Sequence, residues 1–243
     1  MITYKRNAII IGALFIITMI AGAIESNVAA PILQGPLINI YPKDSLVKIG
    51  ALLILVMSIG IVGIAIMLFP VLKKHNETIA ITYVSFRTIE CVFLIVGAVV
   101  SLFLITLSQN YITAGAPENS YFQTISNLAI TVRYSSYQIA MSILGLGSLM
   151  LCSLLYQSKL IPRWLAIWGF IGYALLLASA LLDIIGIIDT VSGAGMLLYI
   201  PGGLWEVLLF PVWLFVKGFN TTTIASVQCA NHQEVNHQEV NHQ

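Results

Sequence analysis

The chain has 243 residues and a mass of 26.5 kDa; 58% of its residues are hydrophobic, 9% are charged, and the formal net charge is +1. A soluble domain carries about 25% charged residues, so this composition leaves too little polar surface for one, and it also excludes a disordered chain and a nucleic-acid binder with a basic face. Three cysteines, Cys91 and Cys152 in apolar runs and Cys229 near the C-terminus, form no disulfide framework and read as small hydrophobes and an incidental thiol.

A membrane-spanning helix needs roughly 20 mostly apolar residues. Six stretches meet that length, and the first is expected at about 8–30. Lys5 and Arg6 precede it, and Ala21-Gly22-Ala23 is similar to a signal-cleavage site. The apolar run continues past Ala23 and five more spans follow, so a retained first helix is the simpler expectation. Segment 31–45 holds Pro31, Gly35, Pro36 and Pro42, which interrupt helix and sheet alike. It is expected as an outer loop or as a segment folding back into the bilayer edge. The second and third spans are expected at about 47–72 and 79–107, joined through Lys73 and Lys74. Segment 108–124, with Gly115-Ala116-Pro117, several amides and tyrosines, has room for a short amphipathic helix. The fourth, fifth and sixth spans are expected at about 126–156, 163–188 and 196–219.

Residues 231–243 read NHQEVNHQEVNHQ and contain His232, His237 and His242. A spacing of five does not place the rings on one helix face, and no cage of cysteines or carboxylates surrounds them. Residues 1–220 are therefore expected as the transmembrane domain and 221–243 as a disordered polar tail. The fold class expected is all-α, a polytopic bundle of six transmembrane helices. With the N-terminus inside, the cytoplasmic side holds Lys5, Arg6, Lys73, Lys74, Lys159, Arg163 and Lys217, and the other side only Lys43 and Lys48. That bias favours both termini in the cytoplasm. Trp164 falls at the inner boundary, where an indole belongs.

A charge at mid-bilayer costs about 2.5–3.5 kcal/mol on insertion scales, so such residues are the candidates for function. Arg87 and Glu90 lie in the third span, three residues apart, on one helix face where they can pair. At the 1.5 Å rise per residue they sit roughly 12 and 16 Å from the inner boundary, with Glu206 at about 17 Å and Arg133 at about 18 Å. The four are expected in one layer near the midplane, as a cluster neutral as a whole. Glu25 and Asp183 are expected near the outer headgroups, solvated at the boundary. Gly97 with Ser101, and Ala174 with Ala178, have the small-xxx-small spacing of close helix contacts.

Outside the tail the one histidine is His75, in an inner loop. The core holds no histidine pair for haem or zinc, no H-E-x-x-H, no Ser-His nucleophile, no P-loop and no dinucleotide fingerprint. No metal site, cofactor or catalytic residue is expected, and an enzyme is the less favoured class. Leu-Phe-Pro-Val occurs at 68–71 and again at 209–212, without the wider similarity that marks an inverted repeat. Two functions fit: a protein handling a small molecule or ion at Arg87, Glu90, Arg133 and Glu206, or a structural or interaction subunit whose charges brace the bundle. The partner expected in either case is the lipid bilayer, with no nucleic acid and an unknown oligomeric state.

LFPVLKKHNE at 68–77, FRTIE at 86–90, LLYQSKLIPRWLAIWGFIG at 154–172 and LWEVLLFPVWLFVKGF at 204–219 occur in this order. Together they resemble the domain-of-unknown-function 4386 family of prokaryotic membrane proteins, from about Arg6 to Phe219. The resemblance implies a six-helix protein of a prokaryotic cell membrane. It implies no activity and carries over no catalytic residue.

Overall fold

The computed structural model describes residues 2–117, 121–190 and 194–220, and all regular elements among them are helical. Six helical segments are long and apolar enough to cross a membrane. The tail expected at 221–243, with Cys229 and its histidines, lies outside the described residues.

Helix α1 spans Ile2–Val28 and is followed by a single turn, α2, at Ala30–Leu33. Two 3-10 turns, Leu37–Asn39 and Tyr41–Lys43, lead into α3, Asp44–Leu72. The segment around Pro31, Pro36 and Pro42 is thus not an open loop. Leu33, Leu37 and Ile40 are buried, and the segment is pinned to the next helix. The Ser108 hydroxyl donates to the Leu37 carbonyl at 2.5 Å and accepts from the Tyr41 amide at 3.0 Å.

Helix α4, Glu77–Thr113, starts at Asn76, whose side chain accepts the Ile79 amide at 3.0 Å. That N-cap satisfies one of the orphan donors of the first turn. Helix α5 covers Tyr121–Ser158 and α6 covers Arg163–Ile184. The 37 residues of α4 rise about 55 Å, well beyond the roughly 30 Å of a bilayer core. Residues 108–113 therefore extend α4, and 121–125 belong to α5, in the segment that has room for a short amphipathic helix. The fifth span stops short of residue 188 because Gly186 takes φ +81°. The Gly186 amide donates to the Asp183 carbonyl and the Ile187 amide to the Leu182 carbonyl, 2.8 and 2.9 Å, a Schellman stop.

The sixth span is the irregular one. A 3-10 stretch, Ala194–Tyr199, runs into α7, Ile200–Leu204, then one π-helical turn, Trp205–Leu209, then α8, Phe210–Val216. Pro211 has no amide for the Val207 carbonyl and its ring crowds that carbonyl. The Phe210 amide bonds the Trp205 carbonyl five residues back, which widens the turn that carries Glu206.

The spans form a ring in chain order. Neighbours are α1 with α3, α3 with α4, α4 with α5, α5 with α6 and α6 with α7, and α8 closes against α1. At the closure Phe15 meets Phe210 edge-on, centroids 5.5 Å apart, and Gly12 faces the Phe215 ring. The ring is apolar outside and polar within. Ile17, Leu52, Ile59, Val99, Leu128 and Ile171 face outward, whereas Ser58, Ser101, Ser136, Gln138, Ser148 and Ser179 are buried. That is the arrangement lipid imposes, with polar side chains turned inward; Gln138 bonds across helices to Thr190 and Tyr199, whereas the Ser58 and Ser148 hydroxyls have no partner.

A close backbone-to-backbone contact joins α6 to α7. A Cβ on Gly172 would lie 2.7 Å from the Gly202 amide nitrogen, whereas a Cβ on Gly203 meets nothing within 4 Å. Backbone cannot yield as a side-chain end can. Gly172→Ala is expected to lose about 1–3 kcal/mol by overpacking, and Gly203→Ala to lose nothing. Thermal unfolding of the two variants in the same detergent checks the difference.

Candidate functional site

Two groups of charged residues cross the ring from one side to the other. In the first, α4 supplies Tyr83, Arg87 and Glu90 at helical spacing, all buried. Arg87 Nε donates to the Tyr83 hydroxyl at 3.1 Å, and Nη1 donates to both Glu90 oxygens at 3.2 and 2.9 Å. Its Nη2 donates to Glu206 Oε1 at 3.2 Å, on the π-helical turn opposite α4 in the ring. One guanidinium thus serves two carboxylates.

The scaffold behind Glu206 is aromatic. Trp205 is 0% exposed, stacks on Phe210 at 4.4 Å, meets Tyr173 edge-on at 5.5 Å, and donates its indole N–H to the Leu165 carbonyl at 2.8 Å. The missing side chain of Gly169 makes room for that indole. Tyr173, also fully buried, has a hydroxyl without a partner, in the field of Glu206 and Arg87.

The second group joins α5 to α1, again opposite in the ring. Arg133 Nη2 donates to Glu25 Oε1 at 2.5 Å, and its Nε donates to the Ser101 hydroxyl at 3.1 Å. Ser101 lies fourteen residues beyond Arg87 on α4, about 21 Å along the axis. The single layer expected for Arg87, Glu90, Arg133 and Glu206 is therefore corrected: Arg133 belongs to a different level. Depth can be counted from a helix end only where helices end flush with the bilayer, and α4 and α5 are both too long for that. Glu25, expected near the outer headgroups, is Arg133's partner.

Asp183, expected near the outer headgroups, stands one residue before the end of α6 and is held by protein partners. Its oxygens accept from the Tyr134 hydroxyl at 2.6 Å and from the Thr190 amide and hydroxyl at 2.7 and 2.6 Å. Gln138 donates to the Thr190 and Tyr134 hydroxyls and accepts from the Tyr199 hydroxyl. This network ties the segment after α6 to α5.

Between the two cross-ring groups stands Tyr137, one turn from Arg133 on the same face of α5. Its electrostatic neighbours are Tyr199, Glu25, Arg133 and Glu90, from three other segments of the ring interior as well as its own helix. The residue nevertheless keeps 43% of its surface accessible. The bilayer-facing side of α5 is the opposite one, marked by Leu128 and Val132. Part of the Tyr137 surface is therefore accessible on the side of α5 turned away from Leu128 and Val132.

At the end that carries the termini, a cleft of about 620 Å³ is lined by Lys159, Arg163, Trp213 and Lys217 and does not reach the charge groups. His75, in the turn before α4, has its pKa lowered, first by burial and then by the charge of Lys74. Among the described residues no three His, Cys, Asp or Glu side chains gather as metal ligands. Cys91 and Cys152 are free thiols, the second buried.

A closed ring of six apolar helices around a polar interior defines a multi-pass helical membrane protein. The chain belongs to the family described as Domain of unknown function (DUF4386), whose model matches residues 10–218. No curated protein and no solved structure matches it.

Proposed function

We propose that the chain handles a small molecule or ion inside the bilayer, in the space beside Tyr137 that Arg87, Glu90 and Glu206 close on one side and Arg133 and Glu25 on the other. The accessible face of Tyr137 carries this proposal. Charges that serve only to brace helices need no open volume between them, and intramembrane ionisable residues beside a cavity mark ligand or ion paths. Side-chain exposures of 20% for Arg133 and 12% for both Glu25 and Glu206 support it, since these groups retain contact with that volume. The excess of Lys and Arg at the end that carries the termini supports both termini in the cytoplasm, and a prokaryotic cell membrane is what the resemblance to the family implies. No catalytic role is assigned.

The rival, a bracing subunit, is favoured by the complete pairing of Arg87 and Glu90. Cysteine labelling separates them. With the three native cysteines replaced, Tyr137→Cys is expected to react with a small, charged methanethiosulfonate in liposomes, and Leu128→Cys on the outer face is not. If the thiol of Tyr137→Cys is as inert as that of Leu128→Cys, the proposal fails and the bracing role is left.

A further inference from the structure

The sign of the ligand follows from the charges that enclose it, and this step rests on the polar interior proposed above. Arg87 and Arg133 face Glu25, Glu90 and Glu206. The two cross-ring groups together therefore carry one more carboxylate than guanidinium when all are ionised. Asp183 stands apart from them, held by Tyr134 and Thr190. No described residue of α3 between Lys48 and Leu72 is charged, and α6 adds only Tyr173 at the level of Glu206. Cys152 of α5 also lies in the field of Glu206 and is a thiol, not a cation. A lone excess charge in a medium of low dielectric is strongly unfavourable.

The excess resides at the first group. Arg133 and Glu25 match one to one, whereas Arg87 is shared between Glu90 and Glu206. Glu90 takes two of its hydrogen bonds and Glu206 takes one, on one oxygen. The other Glu206 oxygen and the unpartnered Tyr173 hydroxyl are what remains for a ligand. A fully buried hydroxyl with no acceptor or donor is an exception in folded proteins and asks for a partner.

We infer that Glu206, with the Tyr173 hydroxyl, binds one positive charge, a proton or an alkali-metal cation, and so brings the two groups to neutrality. A proton adds to the Glu206 carboxylate and makes it a neutral acid; a metal cation takes the carboxylate and phenol oxygens as ligands. An anion meets the excess carboxylate and is excluded.

The test is thermal unfolding of the purified full chain in detergent, wild type beside Glu206→Gln. One series exchanges choline for Na⁺, K⁺ or Li⁺ at constant ionic strength, a second varies pH at fixed salt, and a third exchanges chloride for sulfate. If a metal cation is bound, one of the three raises the wild-type Tm by about 3 °C or more, and Glu206→Gln is unresponsive. If the proton is bound, the alkali metals are silent. Wild-type Tm then falls more steeply than that of Glu206→Gln as pH rises, because the proton leaves and the excess charge returns. Identical responses of the two proteins in both series overturn the inference, as does a wild-type response to the anion alone. Should Glu206→Gln not fold, Tyr173→Phe, which removes the other proposed ligand oxygen and leaves every carboxylate and guanidinium in place, is measured in its place. Labelling of Tyr137→Cys together with identical responses leaves the polar interior standing and removes only the sign.

Discussion

Arg87→Gln lowers the stability of the bundle by about 3–5 kcal/mol, the range for removing one partner of a buried ion pair. The magnitude comes from what is left behind. Glu90 is 1% exposed and has Arg87 as its ion-pair partner, and Glu206 loses the same partner. Glutamine reaches neither carboxylate with charge, so the two groups go from one excess negative charge to two. Glu206→Gln acts in the opposite sense. It removes the excess charge, leaves Arg87 paired with Glu90, and keeps an amide oxygen where Glu206 Oε1 accepts from Arg87. It is expected to hold or raise Tm. A bundle that needed both salt bridges for bracing loses stability in both variants. Thermal or chemical unfolding in one detergent, read by tryptophan fluorescence or circular dichroism, distinguishes the two patterns.

Trp205→Ala is the second large effect, about 3–5 kcal/mol, as expected for truncating a buried tryptophan that leaves a cavity. The site cannot collapse easily. Two sides of the indole are fixed by Phe210 and Tyr173, and a third by the backbone of α6 at Gly169. The Pro201-Gly202-Gly203 run before it and Pro211 after it offer little intrinsic helix stability. Trp205 is therefore the main anchor of the π-helical turn, and its loss releases Glu206 from Arg87 as well. Trp205→Phe retains the stacking but not the donor to Leu165, so it loses about 1–2 kcal/mol. If Trp205→Ala and Trp205→Phe unfold alike, the hydrogen bond and not the packing is what holds the turn.

Much of this architecture is legible in the sequence, and the remainder fails for identifiable reasons. The six spans follow from apolar runs, because lipid demands apolarity on nearly every side of a helix. The pairing of Arg87 with Glu90 follows from their spacing on one helix face, and Tyr83, four residues before Arg87, was open to the same arithmetic. Arg133 with Glu25 was not. Partners on opposite sides of a ring are a tertiary fact, and a depth counted from a guessed helix end inherits the error of that end. The partners of Asp183 were hidden for a related reason: Thr190 comes from a segment that returns to α5, which no local pattern announces. The missed length of α4 and α5 has a simpler cause. Segment 108–113, with its glutamine, asparagine and threonine residues, loses apolarity at the point where α4 leaves the bilayer, and a helix that emerges into water need not stop there. The π-helical turn had a visible signal in Pro211, placed so that a carbonyl one turn earlier loses its donor.

The contact between Arg87 and Glu206 is the joint on which the account turns, because among the described residues it links α4 to the last span through charge. A double-mutant cycle of Arg87→Gln, Glu206→Gln and the double variant, followed by unfolding in one detergent, measures it directly. The account predicts that the double variant is more stable than Arg87→Gln alone, with a coupling of at least about 1 kcal/mol. Effects that add to within about 0.5 kcal/mol contradict it, since the two side chains then do not share their charge across the ring.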